Sequence, residues 1–260
     1  MSKVVVIIQA RMGSTRLPGK VMSEISGKPM LWHVIDRVKK CRNIDLVVVA
    51  TTTNKKDRVV RDLAEKSGAK AYCGSEDDVL DRYYQAARIF GAEIVVRITA
   101  DCPLIDPHFA DRMVRYFEDN KHKYDYIGMG TPNKYPNGLD TEVFSFGALE
   151  KAWKDAKLKS EREHVTSYIW KNEELFRIGA IEAEKDLSLF RWTVDEERDL
   201  KLVREIYRHL YKEGRLFATD EILELLSRKP ELLDINQDIQ RNEGYAKSLK
   251  EDSAVRGGSD

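Results

Sequence analysis

The 260-residue chain carries 44 Lys plus Arg against 44 Asp plus Glu, a net charge of about zero at neutral pH. That balance argues against a general nucleic-acid or anionic-membrane surface, while leaving room for a local basic pocket. The length allows one substantial α/β core with a small appendage. Apolar runs too short for a bilayer, and a start without a basic-then-apolar layout, make a cytoplasmic protein the expectation.

The first predicted element is a strand over residues 4–8, a continuous apolar run of the kind buried on both faces. It opens into Gln9-Ala10-Arg11-Met12-Gly13-Ser14-Thr15-Arg16-Leu17-Pro18-Gly19-Lys20. Gly13 and Gly19 let the backbone approach a ligand, Ser14 and Thr15 add hydroxyl donors, and Arg11, Arg16 and Lys20 supply charge. Donors of this kind after a buried strand suit a polyphosphate. The loop is neither a Walker loop, since Val21 follows Gly19-Lys20, nor a dinucleotide fingerprint.

A helix is expected over 30–41, a second apolar strand over 46–50 with the polar loop from Thr51 and Thr52 after it, and a helix over 59–67. A short strand at 71–73 leads to a helix with Ser75 as N-cap, its acidic residues 76–78 at the positive end of the dipole. Asp81 and Arg82 come one turn later, where capping explains them less well. A fourth strand over 94–98 ends in Thr99-Ala100-Asp101-Cys102-Pro103-Leu104. Strands alternating with helices imply a parallel sheet, with ligands at the carboxyl ends of its strands. Asp101 sits at such an end, and Asp106 before Pro107 already caps the next helix, so Asp101 reads as a ligand for Mg²⁺ on a nucleotide's phosphates.

From residue 124 the pattern becomes α+β, as if inserted against one edge of the sheet. Asp140, Glu142 and His164 stand there either as acceptor-pocket groups or as hydrated surface. Strands are expected after Gly138 and over 176–181, and helices over 148–156 and 160–171. Trp192 and Val194 alternate with polar residues, which predicts a short strand running into a helix over 200–211. Asp195, at that junction, is either a cap or a second carboxylate completing a magnesium site. The tail from Thr219 is helical, covering the domain or a partner subunit, and residues 253–260 are expected to be disordered. Cys41, Cys73 and Cys102 read as reduced, packed thiols.

These stretches resemble the cytidylyltransferases that activate acidic sugars, the acylneuraminate and ketodeoxyoctulosonate enzymes, and above all the SpsF-like subgroup of spore-coat polysaccharide biosynthesis. The resemblance is most specific at residues 9–20 and continues through 76–82, 99–104, Gly138-Leu139-Asp140 with Glu142-Val143-Phe144, 162–165 and 191–195. Asn242-Glu243-Gly244-Tyr245 matches a C-terminal motif of the subgroup. The resemblance implies a Rossmann-like, GT-A-like three-layer α/β/α nucleotidyltransferase fold with a mostly parallel central sheet.

The same resemblance implies CTP and Mg²⁺ as ligands. The triphosphate falls to Arg11, Ser14, Arg16 and Lys20 with Ala10, Gly13, Thr52 and Thr99 nearby, the cytidine to Asp81 and Arg82, and the metal to Asp101 and Asp195. An acceptor oxygen attacks the α-phosphorus and pyrophosphate leaves, with Arg11, Lys20 and Asp101 as the catalytic set. The acceptor side, with Asp140, Glu142, Glu163 and His164, matches only the SpsF-like subgroup; Arg191 is assigned to the acceptor as well. A homodimer is expected, with residues 1–215 as the nucleotide-binding domain (acceptor-side section about 124–190) and 216–252 as a helical extension. No dedicated base is needed if the acceptor is a carboxylate, a phosphate or a metal-bound hydroxyl. The alternative activity is glycosyl transfer from a sugar nucleotide, although Cys102-Pro103 after Asp101 departs from the usual Asp-x-Asp metal motif.

Overall fold

In the computed structural model, residues 2–241 and 243–257 are described. Strand β1 (Val4–Gln9) leads through the basic loop and a small hairpin, β2 (Glu24–Ile25) and β3 (Lys28–Pro29), into helix α1 (Met30–Val38). Then come β4 (Leu46–Thr52), α2 (Arg58–Lys66), β5 (Lys70–Gly74), α3 (Val79–Ile89), β6 (Ile94–Thr99) and α4 (Pro107–Asn120). The second half contributes β7 (Tyr126–Gly128), β8 (Glu142–Ser145), α5 (Phe146–Asp155), α6 (Lys159–Glu163), α7 (Ser167–Lys171) and β9 (Ile178–Ala180). Helices α8 (Glu197–Leu210), α9 (Thr219–Arg228) and α10 (Glu243–Gly257) complete the chain.

Seven strands form one sheet in the order β5-β4-β1-β6-β8-β7-β9. β1 lies between β4 and β6 and pairs in parallel with both; only β8 runs against the rest. The section from residue 124 adds β8, β7 and β9 at the β6 edge of the sheet, with β8 antiparallel to both of its neighbours.

Alternate side chains of β1 feed the two faces, as a period of two requires. Val4, Val6 and Ile8 join the core beneath α1, α2, α4, α8 and α9, while Val5 and Ile7 join the core beneath α3, α5 and α7. The result is a three-layer α/β/α architecture with a mostly parallel sheet. Helix α9 buries Ile222 and Leu226 in the first core, whereas α10 packs on α6.

Four local expectations change. Helix α3 is capped by Asp78, whose carboxylate accepts from the Asp81 amide at 2.8 Å; Ser75 accepts from the Asp78 amide one step earlier. The single helix expected over 160–171 is two helices, interrupted where Val165 takes a left-handed φ of 58°. Trp192 to Val194 form no strand and are pinned instead by Asn137 and Asp101. The segment expected to be disordered from Ser253 continues as helix through Gly257; residues 258–260 and Asn242 lie outside the described residues.

Candidate active site

The carboxyl ends of β1, β4 and β6 place their loops side by side. Register pairs Gln9 with both Ala50 and Thr99, so the basic loop and the Asp101 loop leave the sheet at one level. The basic loop folds on itself: the amides of Ser14 and Gly19 both donate to the Met12 carbonyl at 3.0 Å. Gly19 has φ 72°, a conformation glycine adopts without a Cβ clash, and it turns the chain so that Lys20 points inward. Asp57 anchors the loop from outside. Its Oδ1 accepts from the Met12 amide at 2.7 Å, and its Oδ2 accepts from the Thr52 hydroxyl.

At the base of the cleft Lys20 Nζ donates to Asp101 Oδ2 (2.8 Å), Asp195 Oδ1 (2.9 Å) and the Val194 carbonyl (2.8 Å). Burial alone would lower the lysine's pKa, but the two carboxylates raise it. For Asp101, burial pushes upward; Lys20 and the Thr99 hydroxyl, 2.5 Å from Oδ1, outweigh it and hold the carboxyl below its ordinary value. Asp195 also meets Arg16 at 3.0 Å and Arg191 at 3.1 Å.

Asp195 reaches this place through the turn at Asn137-Gly138. The amides of Trp192 and Thr193 donate to the Asn137 carbonyl, and the Val194 amide donates to the Asp101 carbonyl. Gly138 (φ 113°) passes so close that a Cβ would lie 2.6 Å from the Thr193 nitrogen. Helix α8 has Glu196 as its N-cap, and Asp199 accepts from the Asp195 and Glu196 amides. The Asp195 side chain is therefore not spent on capping.

A cleft of about 760 Å³ runs from these residues to α6 and α10. Of the residues singled out from sequence, Ala10, Arg11, Gly13, Ser14, Arg16, Lys20, Arg82, Thr99, Asp101, Glu163, His164 and Asp195 line it. Arg82 is buried and donates to the Ser75 carbonyl. Five do not line it. Thr52 stands behind the loop, holding Asp57. Asp81 accepts from Trp153 Nε1 and Gln85.

Asp140 turns back to its own loop, accepting from the Gly138 amide at 2.8 Å, with burial pushing its carboxyl up. Glu142 is held by Arg97 and Tyr126, each at 2.5 Å, and by Thr166 at 2.7 Å. Arg191 clamps Asp195 and Asp199 from beneath. These five position their neighbours instead of facing the cleft.

The sequence reading missed Lys159 on α6 and Gly244, Lys247, Ser248 and Glu251 on α10, all of which line the cleft. The C-terminal motif around Tyr245 was the available signal, but nothing local ties it to residues 159–164.

The donor set can accommodate a divalent cation. Asp101 and Asp195 share one ammonium and keep further lone pairs, and Mg²⁺ commonly takes one or two carboxylates while retaining water and phosphate oxygens. Among the described residues no cluster of three or more His, Cys, Asp or Glu groups is placed to hold a metal by itself. No helix among them is long and apolar enough to cross a membrane.

The chain is 37% identical over 243 residues to an uncharacterized protein of Methanocaldococcus jannaschii, covering 92% of this chain and 96% of that one. It is 30% identical over 238 residues to the spore coat polysaccharide biosynthesis protein SpsF of Bacillus subtilis, covering 89% and 97%. A cytidylyltransferase structure from Leptospira borgpetersenii superposes with a TM-score of 0.87 at 32% identity, over 93% of this chain and 100% of that one. The cytidylyltransferase family model matches residues 5–239, so the chain belongs to the cytidylyltransferase family and is a nucleotidyltransferase.

Proposed function

We propose that the chain transfers CMP from CTP, in the presence of Mg²⁺, to an oxygen of a sugar or related small acceptor in surface-polysaccharide synthesis. What carries this reading is the convergence of Arg11, Ser14, Arg16 and Lys20 with Asp101 at one end of an open cleft. Phosphoryl transfer asks for positioning and for neutralised charge on the phosphate oxygens, and little else from the protein. In this proposal the basic loop grips the triphosphate, Arg82 lies toward the cytidine, and Asp101 and Asp195 hold the metal. Mg²⁺, when bound, contributes charge neutralisation and orientation of the phosphates.

The acceptor then occupies the far end, against the cleft-facing residues of α6 and α10. The role in polysaccharide synthesis comes from the likeness to SpsF, whose name places that protein in spore-coat polysaccharide biosynthesis. A cytoplasmic homodimer belongs to the same reading, by resemblance to the family, and sedimentation of the full chain tests the dimer.

Calorimetric titration with CTP, ATP, GTP, UTP and a UDP-sugar, each with and without Mg²⁺, tests the activity. Selective, magnesium-dependent CTP binding followed by pyrophosphate release with an added sugar acid or polyol is the expected outcome. Preference for the UDP-sugar would overturn it.

A further inference from the structure

The far end of the cleft contains a hydrogen-bonded relay. Ser248 on α10, 3% exposed, lies 2.8 Å from Glu163 Oε2 and 3.0 Å from His164 Nε2. The hydroxyl has one proton, and the carboxylate is its strongest acceptor, ahead of the Gly244 carbonyl at 3.1 Å. Ser248 Oγ must then accept from His164, which places the imidazole proton on Nε2. Nδ1 is left with its lone pair and no partner among the described residues.

The backbone is bent to hold this ring in place. Val165, fully buried and β-branched, sits at φ 58°, and the Thr166 hydroxyl anchors the next residue to Glu142. A buried valine in the left-handed region is strained, and such strain gathers where a site is being shaped. Helix α10 is docked here through polar groups. Besides Ser248, Asp252 accepts from the Ser160 amide at 3.1 Å, and Glu251 pairs with Lys159 at 2.6 Å. Burial lowers the pKa of His164; Arg97 and Lys171 act in the same direction, Glu163 and Glu142 against it. Lys159, Lys247 and Glu251 complete the charged groups on this part of the cleft.

The geometry points to His164 as the proton acceptor for the attacking hydroxyl, with Ser248 and Glu163 as positioning residues. The inference rests on the cytidylyl-transfer reading above. In the step, the acceptor O–H bond breaks and its proton passes to Nδ1. The oxygen's electron pair forms the bond to the α-phosphorus, and the bond from that phosphorus to the bridging oxygen breaks, its pair leaving on pyrophosphate. His164 then releases the proton to solvent. A hydroxyl is therefore the acceptor class, which differs from the expectation that no base is needed.

Two measurements on the full chain test this. The first requires no acceptor: imidazole ¹⁵N resonances of His164, identified by their loss in His164→Gln, are tracked against pH with CTP and Mg²⁺ present. The expected result is a neutral ring at pH 7 with its proton on Nε2. A doubly protonated ring at pH 7, or a proton on Nδ1, overturns the proposal.

The second is pyrophosphate release with 3-deoxy-manno-octulosonate, N-acetylneuraminate and simple polyols as probes. His164→Gln should lower kcat on the order of 10²-fold and abolish the acid limb of the kcat/KM profile, with CTP affinity kept. Ser248→Ala should lower kcat about tenfold, and Ser248→Thr should restore it. Wild-type kcat with an intact acid limb in His164→Gln overturns the proposal while leaving cytidylyl transfer standing. A wild-type protein that binds no CTP overturns both. If no probe turns over, the resonance measurement decides.

Discussion

Lys20 and Asp101, 81 residues apart in sequence, meet with 2.8 Å between Nζ and Oδ2 at the base of the cleft. The pair joins the loop after β1 to the loop after β6, two strands hydrogen-bonded along their whole length. It therefore fixes the distance between the basic loop and the carboxylates that face it.

Asp101 should make stability pH-dependent on the acid side. Its carboxyl is held below the ordinary value, so its contribution is full above the unfolded-state pKa, about 4, and is lost as pH falls through the lower folded value. Urea midpoints between pH 2 and pH 6 should therefore fall less steeply in Asp101→Asn than in the wild type, by about the slope of one group. Identical slopes would remove the assignment. The same variant should lose pyrophosphate release.

Thr52 and Asp57 should act on the nucleotide at one remove. Asp57→Ala frees the Met12 amide and leaves the Thr52 hydroxyl buried without its acceptor, at a cost of about 1–3 kcal/mol. The loosened loop should weaken CTP binding by about tenfold, or 1.4 kcal/mol. Calorimetry and a denaturation curve on the same preparation separate the two effects. Unchanged CTP affinity in a folded variant would show that the loop is not organised by Asp57.

Arg191 should matter more for stability than its distance from the cleft suggests. Its side chain is 4% exposed, and that of its partner Asp199 is fully buried. Arg191→Ala strands a buried carboxylate, which costs about 3–5 kcal/mol. Arg191→Lys should recover only part of this, because the ammonium cannot reproduce the two-pronged contact with Asp199. A full recovery in urea denaturation would show that charge alone suffices.

Gly138→Ala should be disproportionately harmful for one methyl group. The new Cβ would meet backbone atoms of Trp192 and Thr193 at 2.6 Å, in a conformation that favours glycine. Destabilisation should exceed about 1 kcal/mol. Since this contact holds the segment leading to Asp195, magnesium-dependent CTP binding should weaken as well. A variant with the wild-type melting temperature would contradict the close approach.

Much of the basic end of the cleft was legible in the sequence because its signals are local. A buried run such as Val4 to Ile8 has only one home in an α/β protein, the sheet interior, and the loop after it must lie at a strand end. Arg11, Ser14, Arg16, Lys20 and Asp101 inherit their place from that rule. The cap of α8 was harder to read. Asp195 and Glu196 both precede the helix, and only the reach of Asp199 back to their amides assigns the cap.

The acceptor-side residues were the least legible. Asp140, Glu142 and Arg191 carry the right chemistry for a pocket, yet each is taken up by neighbours that sequence spacing does not reveal. The direction of β8 decides this, since an antiparallel return sets Glu142 opposite Arg97 in the register. A shift of one residue would have turned the same carboxylate to the other face.

By itself the sequence determined the alternation of strands and helices, the basic loop at a strand end and the membership of a nucleotide-transferring family. These come from periodicity and short-range chemistry, which act within a few residues. The tertiary structure decided which polar side chains face the cleft and which only support others. It also brought Ser248 to His164, 84 residues away, across the far end of that cleft. Such contacts depend on where a chain returns in space, and for α10 on polar contacts that leave no apolar stripe to read in the sequence.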